Sequence, residues 1–329
     1  NYFQKTLQML DNYLNKITVG DCLNLLKKIP DESVDMTFAD PPFNLKKNYK
    51  NYHDSLEVEE YLKWCDEWIT EMVRITKSTG SIFIHNIPKW LTYYCQILNQ
   101  KAHFKHWIAW YAPTAPMGKS LQPAHYGTLF YVKDIKKAKI YPIRMPHERE
   151  RKSTYLKKDY GGKKDQIHPF GPLVPDVWND IHRVKHGKYR DDHPCQLPVP
   201  LLERLVLMTT DEGDVVLDPF MGSGTTAVAS KKLGRNYIGF DLSEHYQKIG
   251  ENNLSQVEPN SKVGNSWVSY HLGEVRTLRD KDWEDLKDHF DIPVNMKDID
   301  FTKVTLKSDI KKSKQNIVSD GPLAKYLTK

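Results

Sequence analysis

An α/β fold, with a parallel-rich sheet and helices on both faces, is predicted by three observations. Short apolar runs alternate with stretches of helical periodicity along residues 17–133 and again along 201–253. Three of the runs hand over to an acid: 34–39 to Asp40, 215–217 to Asp218 and 236–240 to Asp241. Ligands in open sheets of this class bind beyond the carboxyl ends of strands, so the three acids are predicted to meet at one site.

The elements follow in order. Leu7, Leu10 and Leu14 sit at helical spacing and make residues 1–15 a short amphipathic helix. A strand over 17–19 leads through Gly20-Asp21-Cys22 into a helix reaching Lys28. The strand over 34–39 ends on Asp40-Pro41-Pro42-Phe43. A polar, mobile loop rich in Asn, Lys and Tyr is expected over 44–55, then a long helix over 58–77 with Leu62, Cys65, Trp68, Ile69 and Met72 along one face. Trp64 and Trp68, one turn apart, read as core packing. Strands over 81–85, 107–111 and 129–133 and a helix over 90–98 complete this half. From Asp134 to about Asp191 periodicity fails, and Gly161-Gly162, prolines and clustered charge mark a loop-rich insert. Regular structure resumes with a helix over 201–208, then a strand, a Gly-rich turn, a helix and the strand ending at Asp241. Residues 265–329 are charged and weakly periodic, an appendage or tail. The shifts divide the chain at 1–132, 133–190, 191–264 and 265–329.

The charge balance is more informative in its distribution than in its sum. The net charge is +6, yet residues 133–190 carry sixteen Lys/Arg against seven Asp/Glu, which leaves the rest of the chain mildly acidic. A basic segment in such a setting is the footprint of a nucleic-acid surface, against the blander reading of a solvated lysine-rich loop. Within it Arg144, Arg149, Arg151, Arg183 and Arg190 are the candidates for guanine or phosphate contacts. No run approaches about 20 apolar residues, so no membrane span is expected. The chain opens on Asn1-Tyr2-Phe3 without Met, so its native start is expected upstream, and no signal-peptide pattern is present. Cys22, Cys65, Cys95 and Cys195 are widely spaced, which fits a reducing cytoplasm better than a disulfide framework. No metal is expected: His182-x-x-x-His186 has metal-like spacing but no cysteine partner, in a basic neighbourhood.

Two motifs carry the chemistry. In Asp40-Pro41-Pro42-Phe43 the Asp carboxylate and the Pro41 carbonyl aim two acceptors at one NH2 group, and Phe43 offers a ring to stack on a planar base. The two prolines fix φ near −65° and remove two donors, which stiffens the turn and leaves its carbonyls free; the blander reading is a turn that ends a strand. In Asp218-Pro219-Phe220-Met221-Gly222-Ser223-Gly224-Thr225 the glycines let the backbone approach a ligand, and a helix N-terminus offers free N–H groups. Asp241, at the end of the next strand, suits the hydroxyls of a ribose. Gly222-x-Gly224-x-x-Ala227 satisfies a dinucleotide fingerprint, a weak sign by itself.

In this order, over roughly residues 18–253, the two motifs resemble the β group of exocyclic-amino DNA methyltransferases, with Phe43 where Tyr is commoner. The resemblance implies a Rossmann-like domain and S-adenosylmethionine as cofactor, held by Asp218, Phe220, Gly222, Gly224, Thr225 and Asp241. It adds Asp21, in a short segment whose acid approaches the cofactor adenine or merely caps a helix, and His193 and Gln196 of His193-Pro194-Cys195-Gln196-Leu197-Pro198. It implies catalysis by Asp40, Pro41, Pro42 and Phe43 on the N6 amine of an adenine swung out of double-stranded DNA, with 133–190 as the target-recognition insert. Cytosine N4 is the runner-up base. A homodimer, a companion restriction endonuclease and a bacterial cytoplasm, on the nucleoid, complete the expectation. Pro194-Cys195-Gln196 also looks like the nucleophile motif of C5-cytosine methyltransferases, but the order of motifs is reversed. An NAD-dependent dehydrogenase gives the Asp40 turn no role. A DNA-binding subunit with a decayed site conflicts with the intact acids and glycines. RNA or a protein glutamine as substrate goes with Asn in place of Asp40.

Overall fold

The computed structural model describes residues 9–44, 56–113, 121–144, 173–184 and 196–258, together with short strand pairs at 48–49 with 52–53, 143–144 with 278–279 and 290–291 with 305–306. Its contacts divide it into two units, one of residues 1–140 and 176–259, the other of 141–175 and 260–329. The first unit holds the sheet.

Eight strands make that sheet: β1 (Lys16–Val19), β2 (Val34–Ala39), β3 (Thr76–Asn86), β4 (His103–Tyr111), β5 (His125–Val132), β6 (Val177–Trp178), β7 (Val215–Asp218) and β8 (Asn236–Asp241). Their spatial order is β1-β8-β7-β2-β3-β5-β4-β6. The first five run parallel, β5 lies antiparallel between β3 and β4, and β6 joins β4 in parallel. Six helices connect them: α1 (Cys22–Leu26), α2 (Val58–Ile75), α3 (Pro88–Leu98), α4 (Val199–Thr209), α5 (Thr225–Lys232) and α6 (Glu244–Ser255).

The period of two along the strands sends side chains to two cores. Ile82, Ile84, Leu217, Ile238 and Phe240 pack with Leu25 and Leu26 of α1, Trp68 and Met72 of α2, and Trp90 and Leu91 of α3. Ile17 and Tyr237 pack on the opposite side with Ala227 and Val228 of α5 and Leu254 of α6. Helices therefore cover both faces, as the alternation of periodicities requires. Buried on both sides, β2 is apolar at four of its six positions; its one carboxylate, Asp35, is held by Lys77 Nζ at 2.8 Å and by the Val215 N–H at 3.0 Å.

Several boundaries differ from expectation for local reasons. The helix expected to reach Lys77 stops at Ile75. Thr76 is already extended, pairs with Val34 and sends its hydroxyl back to the Met72 carbonyl at 2.6 Å. The register of β2 and β3 then slips before Met36 meets Ser81, and the slack is taken up next to Gly80. A Cβ there would stand 2.7 Å from the Asp35 carbonyl oxygen, so the bulge needs glycine. Strands β4 and β5 begin earlier than expected, with His103 and His125, because antiparallel pairing along their whole length satisfies backbone groups that hydrophobicity alone does not mark. Of the helix expected over 1–15, residues 9–11 are helical and 12–15 form a turn, the earlier ones lying outside the described residues. The loop expected over 44–55 contains the strand pair Asn48–Tyr49 and Tyr52–His53.

Candidate active site

The carboxyl ends of β1, β2, β7 and β8 open on a cavity of about 310 Å³. Its walls include Asp21, Asp40, Pro41, Pro42, Phe43, Gln196, Asp218, Phe220, Gly222, Thr225 and Asp241. An acidic turn from early in the chain and a glycine loop from late in it thus share one space, of a size that suits a nucleoside.

The glycine loop is built on two acids, the buried Asp218 and the half-buried Asp241. Asp218 accepts from the Phe220 N–H at 2.9 Å and from the Thr226 hydroxyl at 2.6 Å, which ties strand, loop and α5 together. Asp241 accepts from the Gly222 N–H at 2.9 Å through one oxygen and from the Ser243 N–H at 2.8 Å through the other. Each of its oxygens keeps a second lone pair, the acceptor set that a ribose diol needs. Gly222 and Gly224 have φ of 53° and 86°, and a Cβ on Gly224 would meet Gly250 Cα of α6 at 2.8 Å. Gly224 is therefore packed against α6 rather than presented to the cavity, unlike Gly222. Asp21 caps α1 by accepting from the Asn24 N–H at 2.9 Å, as the local reading has it, and also lines the cavity. Phe220 packs edge-on against Trp64 and Trp68, with ring centres 5.6 and 5.3 Å away. Trp68 is core as expected, whereas Trp64 also lines the cavity.

Burial pushes Asp218 up from 3.8 to about 7, against the pull of its two donors, with the Asp241 charge adding to the rise. Burial raises Asp241 as well. A carboxyl with a higher pKa folded than unfolded binds its proton more firmly in the native state. Its contribution to stability is therefore greatest below about pH 4 and is lost as pH rises towards 7. Asp218→Asn keeps the shape and still offers an oxygen to the Phe220 N–H. Urea unfolding of this variant is expected to show a smaller loss of stability between pH 5 and pH 8 than the parent. The difference is at most on the order of 4 kcal/mol.

Behind the acidic turn the structure corrects one expectation. The carbonyls of Asp40-Pro41-Pro42-Phe43 are not all free: Pro42 accepts from the Tyr61 hydroxyl at 2.6 Å, Phe43 from the Trp90 indole at 2.6 Å, and Pro41 from Asn86 Nδ2 at a long 3.4 Å. Tyr61, Asn86 and Trp90 escaped the sequence reading because they occupy apolar or strand-end positions that look like core. The Phe43 ring lies 6.0 Å from that of Tyr126, which stacks at 5.6 Å on His85. Burial holds His85 neutral, its pKa lowered to about 3. The exposed Arg183 guanidinium stands 6.0 Å from the Tyr126 ring centre. Of the other candidates, Arg144 is described only as part of the strand pair with Leu278–Arg279 in the second unit. Arg149, Arg151, Arg190, His193 and His186 lie outside the described residues. Among the described residues no cluster of His, Cys, Asp or Glu is arranged to hold a metal ion, and no helix is long and apolar enough to cross a membrane.

A family model described as DNA methylase, covering N6 and N4 methyltransferases, matches residues 34–252, well over half of the chain. The type II methyltransferase M.BamHI of Bacillus amyloliquefaciens is 46% identical over 70% of this chain; the match spans 55% of that protein, little more than half its length. M.HpaI of Haemophilus parainfluenzae is 33% identical over 73% of this chain and 74% of its own. The DNA adenine methyltransferase YhdJ of Escherichia coli is 33% identical over 73% and 82%. Among solved structures, the PvuII DNA methyltransferase, cytosine-N4-specific, shares the fold with a TM-score of 0.53 at 19% identity, over 74% of this chain and 87% of that one. The M1.HpyAVI–SAM complex does so with 0.51 at 24% identity, over 73% and 98%. With its acidic turn and glycine loop on one cavity, and with these relatives, the chain belongs to the N6/N4 family of DNA methylases, which act on exocyclic amines.

Proposed function

We propose that the protein is a site-specific DNA methyltransferase that transfers the methyl group of S-adenosylmethionine to the N6 amine of an adenine flipped out of duplex DNA. The observation that carries this reading is the sharing of one cavity by the Asp40 turn and the Gly222 loop. Asp241 has acceptors for the ribose, Gly222 keeps the loop backbone close, and Phe220 and Trp64 supply apolar wall. S-Adenosylmethionine held there supplies a methyl carbon activated by the sulfonium.

The base amine is a poor nucleophile because its lone pair is delocalised into the ring. Asp40 and the Pro41 carbonyl, each accepting one of its hydrogens, favour the localised pair, and that preference grows towards the transition state. Phe43 stacks on the base. The N–C bond forms as the S–C bond breaks, whose electrons stay on sulfur, and the proton lost from nitrogen leaves through Asp40 to water. The rest of the barrier is lowered by holding the reacting atoms in line. Flipping is required because the amine is otherwise engaged in pairing.

On the DNA side, Arg183, beside Tyr126, is a contact residue, and the basic insert 133–190 supplies Arg144, Arg149, Arg151 and Arg190 as further candidates for guanine or phosphate contacts. His193 and Gln196 contribute to holding the cofactor, Gln196 from the cavity wall. Residues 1–132 and 191–264 serve as the catalytic and cofactor halves, and 265–329 as an appendage. The type II names of M.BamHI and M.HpaI support a companion restriction endonuclease. A homodimer and a cytoplasmic site of action complete the proposal.

The adenine reading rests on Asp40 and on the adenine methyltransferase YhdJ. Cytosine N4 is the second reading, favoured by the PvuII fold neighbour. Unmethylated genomic DNA, treated with protein and methyl donor and digested to nucleosides, is expected to yield N6-methyl-2′-deoxyadenosine. N4-methyl-2′-deoxycytidine would transfer the same chemistry to the other base, and no methylated nucleoside would overturn the proposal.

A further inference from the structure

The hydrogen bonds behind the acidic turn form a directed chain. Tyr61 Oη lies 2.6 Å from the Pro42 carbonyl and 2.6 Å from Tyr94 Oη. A carbonyl has no proton, so the Tyr61 hydroxyl spends its single proton on Pro42. Tyr94 must then be the donor in the contact between the two phenols. The Tyr94 oxygen in turn accepts from Asn86 Nδ2 at 3.5 Å, while the second Nδ2 proton faces the Pro41 carbonyl at 3.4 Å. Asn86 Oδ1 takes the Ile87 N–H at 2.8 Å, which fixes the orientation of the amide. Every proton in the chain thus points towards the turn, and bonds aligned in this way strengthen one another in a buried setting. Tyr61 and Tyr94 are fully buried, and burial holds the Tyr94 phenol protonated.

The two prolines lock their own φ, so what still sets the direction of the Pro41 and Pro42 carbonyls is ψ at each residue. Tyr61 holds the second carbonyl firmly. Asn86 meets the first only at the long limit of a hydrogen bond, which leaves the Pro41 oxygen open to another donor. We propose that Tyr61, backed by Tyr94 and Asn86, is a positioning residue for methyl transfer: it holds the Pro41 and Asp40 acceptors at the angle at which they receive the base amine. This rests on the methyltransferase reading above. Tyr61 comes from α2, Asn86 from the end of β3 and Tyr94 from α3, so the chain joins three elements behind the turn.

Tyr61→Phe removes one hydroxyl and keeps the ring. The expected result is a ten- to hundred-fold fall in kcat on unmethylated genomic DNA, in line with the sensitivity of transfer reactions to small misplacements. The KM for DNA and the affinity for S-adenosylmethionine, measured by calorimetry, should change by less than about twofold, because neither is set by the turn angle. Tyr94→Phe, in which Tyr61 still reaches Pro42, should lose less, and the double variant should lose no more than Tyr61→Phe alone. Crystal structures of parent and variant should show the Pro41 carbonyl reoriented while the Gly222 loop stays in place. An unmoved turn, an unchanged kcat, or a kcat that falls together with cofactor affinity would overturn the assignment. Should Tyr61→Phe not fold, a Tyr94→Phe protein with an unmoved turn and parental kcat would do the same. A parent protein that methylates no DNA would count against the methyltransferase reading instead, and the turn geometry would still decide the role of Tyr61.

Discussion

Asp40→Ala is expected to lower kcat by a hundred- to a thousand-fold while leaving S-adenosylmethionine binding within about twofold of the parent. The size follows from the loss of one preorganised electrostatic partner at the reacting nitrogen, where such groups are worth most. The selectivity follows from the architecture. Asp40 comes after β2 and the Asp241 cradle follows β8, with β7 between them in the sheet, so one carboxylate can be deleted without disturbing the loop that holds the cofactor. Calorimetry with the methyl donor and steady-state transfer to genomic DNA separate the two quantities. Asp40→Asn, which still offers an oxygen to the amine but no charge, should fall between parent and Ala variant. Full turnover by Asp40→Ala would remove the acceptor role, and a parallel loss of cofactor binding would turn Asp40 into a structural residue.

The placement of Asp40, Asp218 and Asp241 at the ends of parallel strands was legible because each follows an apolar run and each turn is punctuated by Pro or Gly, signals that depend on local chemistry alone. The cradle on Asp241 was legible only in outline. Its oxygens also hold the Gly222 and Ser243 N–H groups, a double use that no spacing displays. The brace on the acidic turn was illegible for a related reason. Tyr61, Trp90 and Tyr94 occupy the apolar stripes of α2 and α3, where an aromatic ring reads as packing, and only contacts across 19, 47 and 33 positions of sequence reveal what their polar atoms do. Asp21 shows both sides, as a helix cap that a local rule finds and as cavity wall that only the fold reveals. The basic insert, read from charge alone, yields Arg183 beside Tyr126 as the one candidate whose side chain is described.

Arg204→Met is expected to cost about 3–5 kcal/mol of stability, the range for breaking a buried ion pair by removing one partner. Arg204, on α4, is fully buried and grips Asp180 with both of its terminal nitrogens, at 3.1 and 2.6 Å, while its guanidinium lies 4.8 Å from the Trp178 ring centre. Trp178 belongs to β6, and the Trp110 indole of β4 donates to the Ile181 carbonyl at 2.8 Å just beyond it. One guanidinium therefore joins the helix that precedes the cofactor strand to the sheet edge that carries Arg183. A methionine fills most of the volume but takes the cation away from the half-buried Asp180 carboxylate, and that is where the cost arises. Arg204→Lys should recover only part of it, since an ammonium cannot make the two-pronged contact or stack on the indole. Asp180→Leu in the Arg204→Met background should restore much of the loss, because two apolar groups need no compensating charge. Urea denaturation of the parent, Arg204→Met, Asp180→Leu and the double variant measures the coupling directly. A double variant as unstable as the sum of the singles would mean that the two residues act separately, and that packing against Trp178 rather than ion pairing holds this edge of the sheet.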